Sequence, residues 1–482
     1  MGLAYIGAYL KQKGKSYTAI DACGSRLDQL RSHPMLADTL IQGLTTDEVI
    51  KLIPENSVVF GFSCMFSHSW PLVHELASEV KKKFPKALFV VGGEHPSAMA
   101  EQILKAGVFD VVVRGEGEET FYEVLSRFES MQDWRSVDGT ASLNRAGEYV
   151  LNPPRKRIIN IDDLPWPDWD SWHIEKYIAA NQIPGVKGER TIQILANRGC
   201  PFSCTFCSSP QMWTNRYVMR SPKLIVDEME YYHHKYQVKS FAFMDLTFIV
   251  NRRQILEFTN EILRRNLKIN YQIPAGTRSE ALDDEVVKGL AASGLHNFAL
   301  APESASDEIR FVTRKKVNLK EMEAAIGRVL KADMNLCVFF VVGFPEDNRE
   351  TVMETIRYVR KLAFMGVHDV SISKFTPYPG SQNFIEMTKA GTLNMDFNSP
   401  EKMIDFFSAE AKSFCPQLSS RELHWLMMWG LINFYGLSML FRPWRVISNI
   451  WQYFTRGVEN TRYMRVFSEL LFDRRRWKST AK

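Results

Sequence analysis

The chain contains no long uninterrupted apolar run. Its most apolar stretch, 425–441, has seventeen residues and is broken by Gly430, Asn433, Gly436 and Ser438. That is the lower edge of what spans a bilayer, so it reads as a buried or interfacial helix. No charged n-region and apolar h-region follow Met1, so no signal peptide is expected. Cysteines are few: seven, at 23, 64, 200, 204, 207, 337 and 415. Three cluster and four scatter, which excludes a secreted disulfide scaffold and fits a reducing cytoplasm. No repeat of solenoid period occurs. A strong excess of one charge is also missing: 60 Lys and Arg stand against 55 Asp and Glu, a net +5. Segment 442–482 alone holds ten Lys/Arg and three Asp/Glu. The rest is near neutral, so no nucleic-acid partner is expected for the body. The basic tail is left to meet RNA, anionic lipid or water.

At 482 residues the chain exceeds one ordinary core, and 45% apolar with 24% charged residues is globular composition. Strand and helix signals alternate first over 1–129: short β-branched runs at 17–22, 58–63, 87–91 and 110–113, with a helical pattern at 70–84. This predicts a Rossmann-like sheet with helices on both faces. A linker follows over 130–185, where Pro165 and Pro167 exclude helix. From 186 to 385 the alternation resumes, with candidate strands at 192–196, 239–244, 269–273, 297–301, 335–342 and 369–375. Six β/α units suit an open partial barrel, with chemistry at the carboxyl ends of the strands. Segment 386–482 is helical, aromatic-rich and basic.

The chemistry gathers in Asn197-Arg198-Gly199-Cys200-Pro201-Phe202-Ser203-Cys204-Thr205-Phe206-Cys207. Three thiolates spaced three then two fit a loop wrapped around one corner of an iron–sulfur cube. Three local ligands for four irons leave one iron open for chemistry on a bound molecule. The alternative is a structural zinc site, which needs a fourth ligand that no second Cys/His cluster supplies.

This C-x3-C-x2-C loop after a first barrel strand, with Phe206 before the last cysteine, resembles the radical S-adenosylmethionine (SAM) superfamily. The resemblance implies a [4Fe–4S] cluster on Cys200, Cys204 and Cys207, whose open iron chelates SAM and cleaves it to a 5′-deoxyadenosyl radical. It also implies SAM-binding roles along the strand ends. Phe206 would pack on adenine and Asp245 would face the SAM ammonium. Arg278 would lie near the carboxylate, and Glu303 and Ser304 would approach the ribose. Gly343 and Glu346 fall in the adenine-binding segment, Phe339-x-Val341-x-Gly343-x-x-Glu346. The Phe375-Thr376-Pro377-Tyr378-Pro379-Gly380 phrase is similar to one in the family too. An Ala301-Pro302 pair stands where the family leads with glycine. Taken singly, Asp245 and Glu346 also suit helix N-caps, and Arg278 an ordinary surface position.

Residues 1–129 resemble the cobalamin-binding domain that precedes the barrel in one subgroup of methyltransferases, oxidative cyclases and lipid-modifying enzymes. The phrases are Gly2-Leu3-Ala4-Tyr5-Ile6-Gly7-Ala8-Tyr9-Leu10, Val91-Gly92-Gly93-Glu94-His95-Pro96 and Val113-Arg114-Gly115-Glu116-Gly117-Glu118, with Asp163-Leu164-Pro165-Trp166-Pro167 beyond them. Glycines after strands let a backbone approach a bulky ligand. The resemblance implies corrinoid contacts at Ser63, His68, Gly92, Gly93 and Gly115. The Asp-x-His-x-x-Gly motif that donates a cobalt ligand is lacking, as it generally is in the subgroup, so the corrinoid would bind without that histidine; His68 could ligate cobalt, although a lone loop histidine is more often no ligand. The subgroup begins with a strand before the first helix, and here the chain opens almost at that helix. The expectation is therefore either an upstream start or a domain one strand short that no longer holds the corrinoid.

The expected function is cobalamin-dependent methyl transfer to an unactivated carbon of an apolar small molecule. An electron donor such as flavodoxin or ferredoxin would serve it in the cytoplasm. A radical oxidoreductase or cyclase is the alternative on the same scaffold, and a non-catalytic iron–sulfur regulator the alternative of another class. Trp425, Trp429, Trp444 and Trp451 would form either a cap on the barrel or an interfacial helix. In the second case Arg442, Arg445, Arg456 and Arg474–Arg476 would face anionic headgroups of a peripherally contacted membrane.

Overall fold

The structure, a computed structural model, describes residues 1–33, 40–184, 189–393 and 411–456. It divides into two compact units. One comprises Met1–Lys176, Gly199–Val218 and Pro377–Asp405; the other comprises Tyr177–Arg198, Met219–Thr376 and Phe406–Lys482. Division by packing thus differs from division by chain position, because the cysteine loop packs with the amino-terminal residues.

The first unit opens with α1 (Gly2–Gln12). Its sheet comprises β1 (Val59–Ser63), β2 (Leu88–Gly92), β3 (Val111–Val113), β4 (Thr140–Leu143) and β5 (Tyr149–Leu151), adjacent in that order. The first three strands are parallel and the last two antiparallel. Helix α2 (Trp70–Lys83), started by Pro71, links β1 to β2, and α3 (Glu118–Glu129) follows β3. Leu88, Val90, Val111, Val113, Val124 and Val137 form a buried cluster between sheet and α3. Burying each such side chain favours folding by about 1.5–3 kcal/mol.

Two expectations change here. Strands β4 and β5 lie inside the segment read as linker, because two short runs hide behind the turn at Asn144, whose side chain accepts from the Ala146 and Glu148 amides. Segment 17–22 forms no strand. Tyr17 is instead held by a hydroxyl bond to Asp168, and Asp21 caps a short helix through the Gly24 amide at 2.9 Å. A β-branched run becomes a strand only where a neighbouring strand is available to it.

The second unit holds six parallel strands in chain order. These are β6 (Thr191–Ile194), β7 (Ser240–Phe243), β8 (Asn270–Thr277), β9 (Leu295–Glu303), β10 (Asn335–Val342) and β11 (Asp369–Lys374). Strands β6 and β11 form the two edges among the described residues, so the array is the open six-unit barrel expected. Its helices start on side-chain caps. Asn251 opens α4 (Arg252–Arg264), Asp283 opens α5 (Asp284–Ala292), Asn318 opens α6 (Leu319–Lys331) and Asn348 opens α7 (Arg349–Met365). Each cap satisfies amides that the helix itself leaves orphaned and is worth about 1 kcal/mol.

Two carboxy-terminal helices complete this unit, α8 (Ser420–Phe441) and α9 (Pro443–Arg456). No described helix is long and apolar enough to cross a membrane. Arg442 and Arg445, which the interfacial-helix alternative would turn toward headgroups, bond within the chain. Their guanidinium groups donate to the carbonyls of Ala363, Phe364 and Gly366 at 2.7–2.9 Å, closing the carboxyl end of α7. Arg474–Arg476 and the side chain of Arg456 lie outside the described residues.

Candidate functional site

In the first unit, the candidate corrinoid residues share one sheet edge. Ser63 pairs with Gly92 at the carboxyl ends of β1 and β2, and Gly115 follows β3. Gly93 sits at φ +111°, where a Cβ would overlap the Cys64 carbonyl, so its glycine is required by a backbone crossing as well as by any ligand. Ser97 ties the two glycine turns, donating to the Gly93 carbonyl at 2.7 Å and accepting from the Gly115 amide at 3.2 Å. In the loop after β1, Phe66 is 61% exposed and its ring stacks on His68 with centroids 5.5 Å apart. Burial lowers the His68 pKa below the usual imidazole range. Buried His95, whose Nδ1 lies 2.9 Å from Ser67 Oγ, is pushed down to about 4 by burial and stays neutral.

The cysteine loop belongs to the same unit. Cys200, Cys204 and Cys207 are partly exposed and form no disulfide. Among the described residues no three His, Cys, Asp or Glu side chains converge on one metal-ion position. A cube does not ask for that, since each thiolate takes its own iron. Gly199 has φ +84° because a Cβ there would overlap the Arg216 carbonyl where the loop ends cross. Arg157 clasps the returning strand: its Nε donates to Glu116 at 2.8 Å and its Nη1 to the carbonyls of Trp213 and Arg216. The Asn383 amide donates to the Thr205 carbonyl at 3.0 Å. Ser208, next to Cys207, donates to half-buried Glu94 in the turn after β2, and burial raises that carboxyl. Gly380, at φ +88°, packs against Ala98 and Gln211, so the end of the Pro377–Gly380 phrase joins this surface. Phe206 is half-buried in the loop.

In the second unit, the barrel strand ends behave differently. Asp245 is buried and accepts from the amides of Ala196 and Asn197. It is no helix cap. Burial pushes its carboxyl up to about 8, against the lowering effect of those amides and of Arg220. Arg220, paired with Glu228, donates to the Leu195 carbonyl at 2.9 Å. Arg220 and Asp245 together clamp the exit of β6, three residues before Cys200. Arg278 is buried rather than an ordinary surface residue, donating to Glu280 and to the Lys316 carbonyl. Glu303 adopts φ +66°, rare for a residue with a Cβ, and pairs with Lys315 at 3.1 Å. Ser304 lies between Thr355 Oγ1, at 3.3 Å, and the Ser306 amide. Gly343, at φ +86°, sits under Leu423 of α8.

Glu346 is exposed and caps nothing. The residue that organises this turn is its neighbour Asp347, which accepts from the Gly343 and Phe344 amides at 2.8 and 2.9 Å and from Thr351 Oγ1 at 2.6 Å. Asp347, Arg220, Glu94, Ser97 and Arg157 were all missed as site residues. Only Glu94 carried a signal, inside the quoted glycine phrase. The others act through backbone partners that a motif does not show.

The residues present fit the implied groups. The three thiols are in no disulfide, the glycine-ended strands of the first sheet share one edge beside exposed apolar side chains, and Asn197 is unusual. It is 2% exposed, and neither its Oδ1 nor its Nδ2 has a partner among the described residues. A buried amide left unmet costs about 1–3 kcal/mol unless something binds it. Such a group at a barrel strand end fits a polar ligand bound there.

Comparison with known proteins agrees with this arrangement. The radical SAM superfamily profile matches residues 194–359, and the B12 binding domain profile matches residues 1–125. An uncharacterized methyltransferase of Pyrococcus horikoshii is 28% identical over 353 residues, 72% of this chain and 73% of that protein. The anaerobic magnesium-protoporphyrin IX monomethyl ester cyclase of Cereibacter sphaeroides is 30% identical over 393 residues, 80% of this chain and 60% of that protein. In fold, the chain is similar to the radical SAM methyltransferase TsrM from Kitasatospora setae, with a TM-score of 0.64 at 17% identity over 81% of this chain and 73% of that one. The two profiles fall in chain order on the two sheets that carry the candidate residues: the chain belongs to the radical SAM superfamily, in the branch with a B12-binding domain before the barrel, and is an enzyme of [4Fe–4S], SAM and cobalamin.

Proposed function

We propose that this enzyme transfers a methyl group to an unactivated carbon of an apolar small molecule. One observation carries the reading. The loop bearing Cys200, Cys204 and Cys207 packs in the same compact unit as the glycine-ended strands of the B12-type sheet, tied to them by Ser208 and Glu94. When bound, the cluster and SAM supply a carbon-centred radical and the corrinoid supplies a methyl group.

The chain's own residues then have distinct tasks. The three cysteines hold three irons, and Arg157 with Glu94 fixes the loop that carries them. Phe206 offers its ring to adenine. Ser63, Gly92, Gly93 and Gly115 leave room for the corrinoid, with His68 neutral beside it. Asn197 presents an unmet amide to SAM, while Asp245 has two backbone partners and acceptor capacity left for an ammonium group. Arg278, Glu303, Ser304, Gly343 and Glu346 shape the remaining strand ends. None of the seven cysteines is in a disulfide, which suits the cytoplasm and an electron donor of the flavodoxin or ferredoxin kind.

A second reading, radical oxidation or ring closure, draws on the cyclase relative. Anaerobic incubation of cobalamin-loaded protein with SAM, a reductant and candidate lipid or tetrapyrrole substrates separates them. Methyl transfer yields 5′-deoxyadenosine together with a product heavier by one methyl group. Oxidation yields a product that has lost hydrogens, and that result overturns the first reading. The variant with all three cysteines changed to Ala should lose the cluster and SAM cleavage together.

A further inference from the structure

Helix α8 is apolar on every side, but only one side is covered. Leu423, Leu426, Met427, Gly430 and Phe434 are buried. That face packs on α7 and β11: a Cβ on Gly430 would meet Ile372, and the Tyr435 hydroxyl bonds Asp369. The outer face carries Trp425, Trp429, Ile432 and Leu440, of which Trp425 is 67% and Leu440 71% exposed. No Asp, Glu, Lys or Arg occurs between Glu422 and Arg442. A helix apolar all round ordinarily lies in a core or in lipid. This one cannot span a bilayer, because its inner face is committed to the barrel.

Helix α9 repeats the pattern in amphipathic form. Trp444, Ile447, Trp451 and Phe454 are spaced by three, four and three residues and so share one face. They are all exposed, Trp444 by 61% and Trp451 by 69%. Arg445, Asn449 and Gln452 lie on another side of the helix at 100° per residue. Four of the chain's eleven tryptophans thus stand exposed on these two helices. Trp is the side chain that settles at the level of lipid headgroups, one edge apolar and one polar.

The charge here has one sign. From Leu423 to Arg456 there is no carboxylate, against three arginines. Arg442 and Arg445 close α7 through their guanidinium groups. An exposed apolar face on helices whose own charges are all positive is complementary to an anionic lipid surface, and an acidic protein partner would not need four tryptophans.

We propose that the outer faces of α8 and α9 seat the protein on the surface of an anionic phospholipid bilayer, in plane and without crossing it. This rests on the two helices alone and does not depend on the reaction catalysed. The test uses the full chain with its cluster reconstituted and vesicles of equal parts phosphatidylglycerol and phosphatidylcholine, with pure phosphatidylcholine as control. At low salt the protein should sediment with the anionic vesicles. Raising the salt should weaken binding several-fold, since headgroup attraction decays over about 3 Å at 1 M. Trp444→Ser combined with Trp451→Ser should lower partitioning about tenfold or more with iron content unchanged, because both side chains are exposed in the free protein. Protein left in the supernatant at low salt overturns the proposal, as does equal binding by the double variant. A concentration-dependent dimer that the same double change abolishes would assign the face to a second copy and overturn it too. Tryptophan emission from Trp444 and Trp451 already blue-shifted without lipid would assign the face to segment 457–482, with the same consequence.

Discussion

The two sheets end differently at their carboxyl edges. In the first unit the strand ends are glycines and exposed small or apolar groups, Ser63, Gly92, Gly93 and Gly115 beside Phe66. In the second unit they are polar side chains already engaged by the chain itself: Asp245 with two amides, Arg278 with Glu280 and a carbonyl, Ser304 with Thr355. One edge makes room, and the other builds a rigid wall from internal bonds. On the proposed function, ligand recognition on the wall would fall to what is left unmet, with Asn197 foremost.

If the first edge depends on backbone crossings, Gly93→Ala breaks it. A left-handed φ and an overlap with the Cys64 carbonyl should together cost about 3 kcal/mol, read as a lower denaturation midpoint. An unchanged midpoint would mean that the turn relaxes freely and that glycine serves only the ligand.

On the wall, Asp245 supplies a pH signature. Its carboxyl stands near 3.8 in an ordinary setting and about 8 in the folded chain. A raised pKa favours the folded state at low pH, and that advantage fades as pH rises from about 4 through about 8. Asp245→Asn should flatten the fall in stability between pH 6 and 8.5 while leaving stability at the low end within about 1 kcal/mol, because the neutral acid and the amide oxygen accept alike. Urea unfolding across that range measures both, and parallel curves for the two proteins would remove the buried carboxyl from the account.

The smallest effect is the sharpest. Asn197→Leu replaces two unmet polar atoms with a side chain of similar shape. It should stabilise the ligand-free protein by about 1 kcal/mol while weakening SAM binding by calorimetry. Loss of stability would show that the amide is satisfied within the protein and put it outside ligand recognition.

Much of this was legible from residue type. The six barrel strands and β1 to β3 follow from short β-branched runs between turn residues, and the cysteine spacing names its own chemistry. Other features were not, for reasons tied to particular contacts. Strands β4 and β5 are too short to announce themselves without β3 to pair with. At the turn after β10, Glu346 and Asp347 are chemically alike in a string of letters, and burial alone singles out Asp347. Arg442 and Arg445 look free in sequence because the carbonyls they cap lie about eighty positions away.

By itself the sequence determined the order of the two β/α arrays, the cysteine triplet and the apolar, base-rich end, because each is written in local residue type and spacing. Only the tertiary structure decided that the cysteine loop packs with the B12-type sheet, that Arg220 and Asp245 clamp the strand leading to it, and that α8 covers one face and leaves the other open. Those outcomes depend on which distant backbone groups come within hydrogen-bonding reach, and no local pattern encodes that.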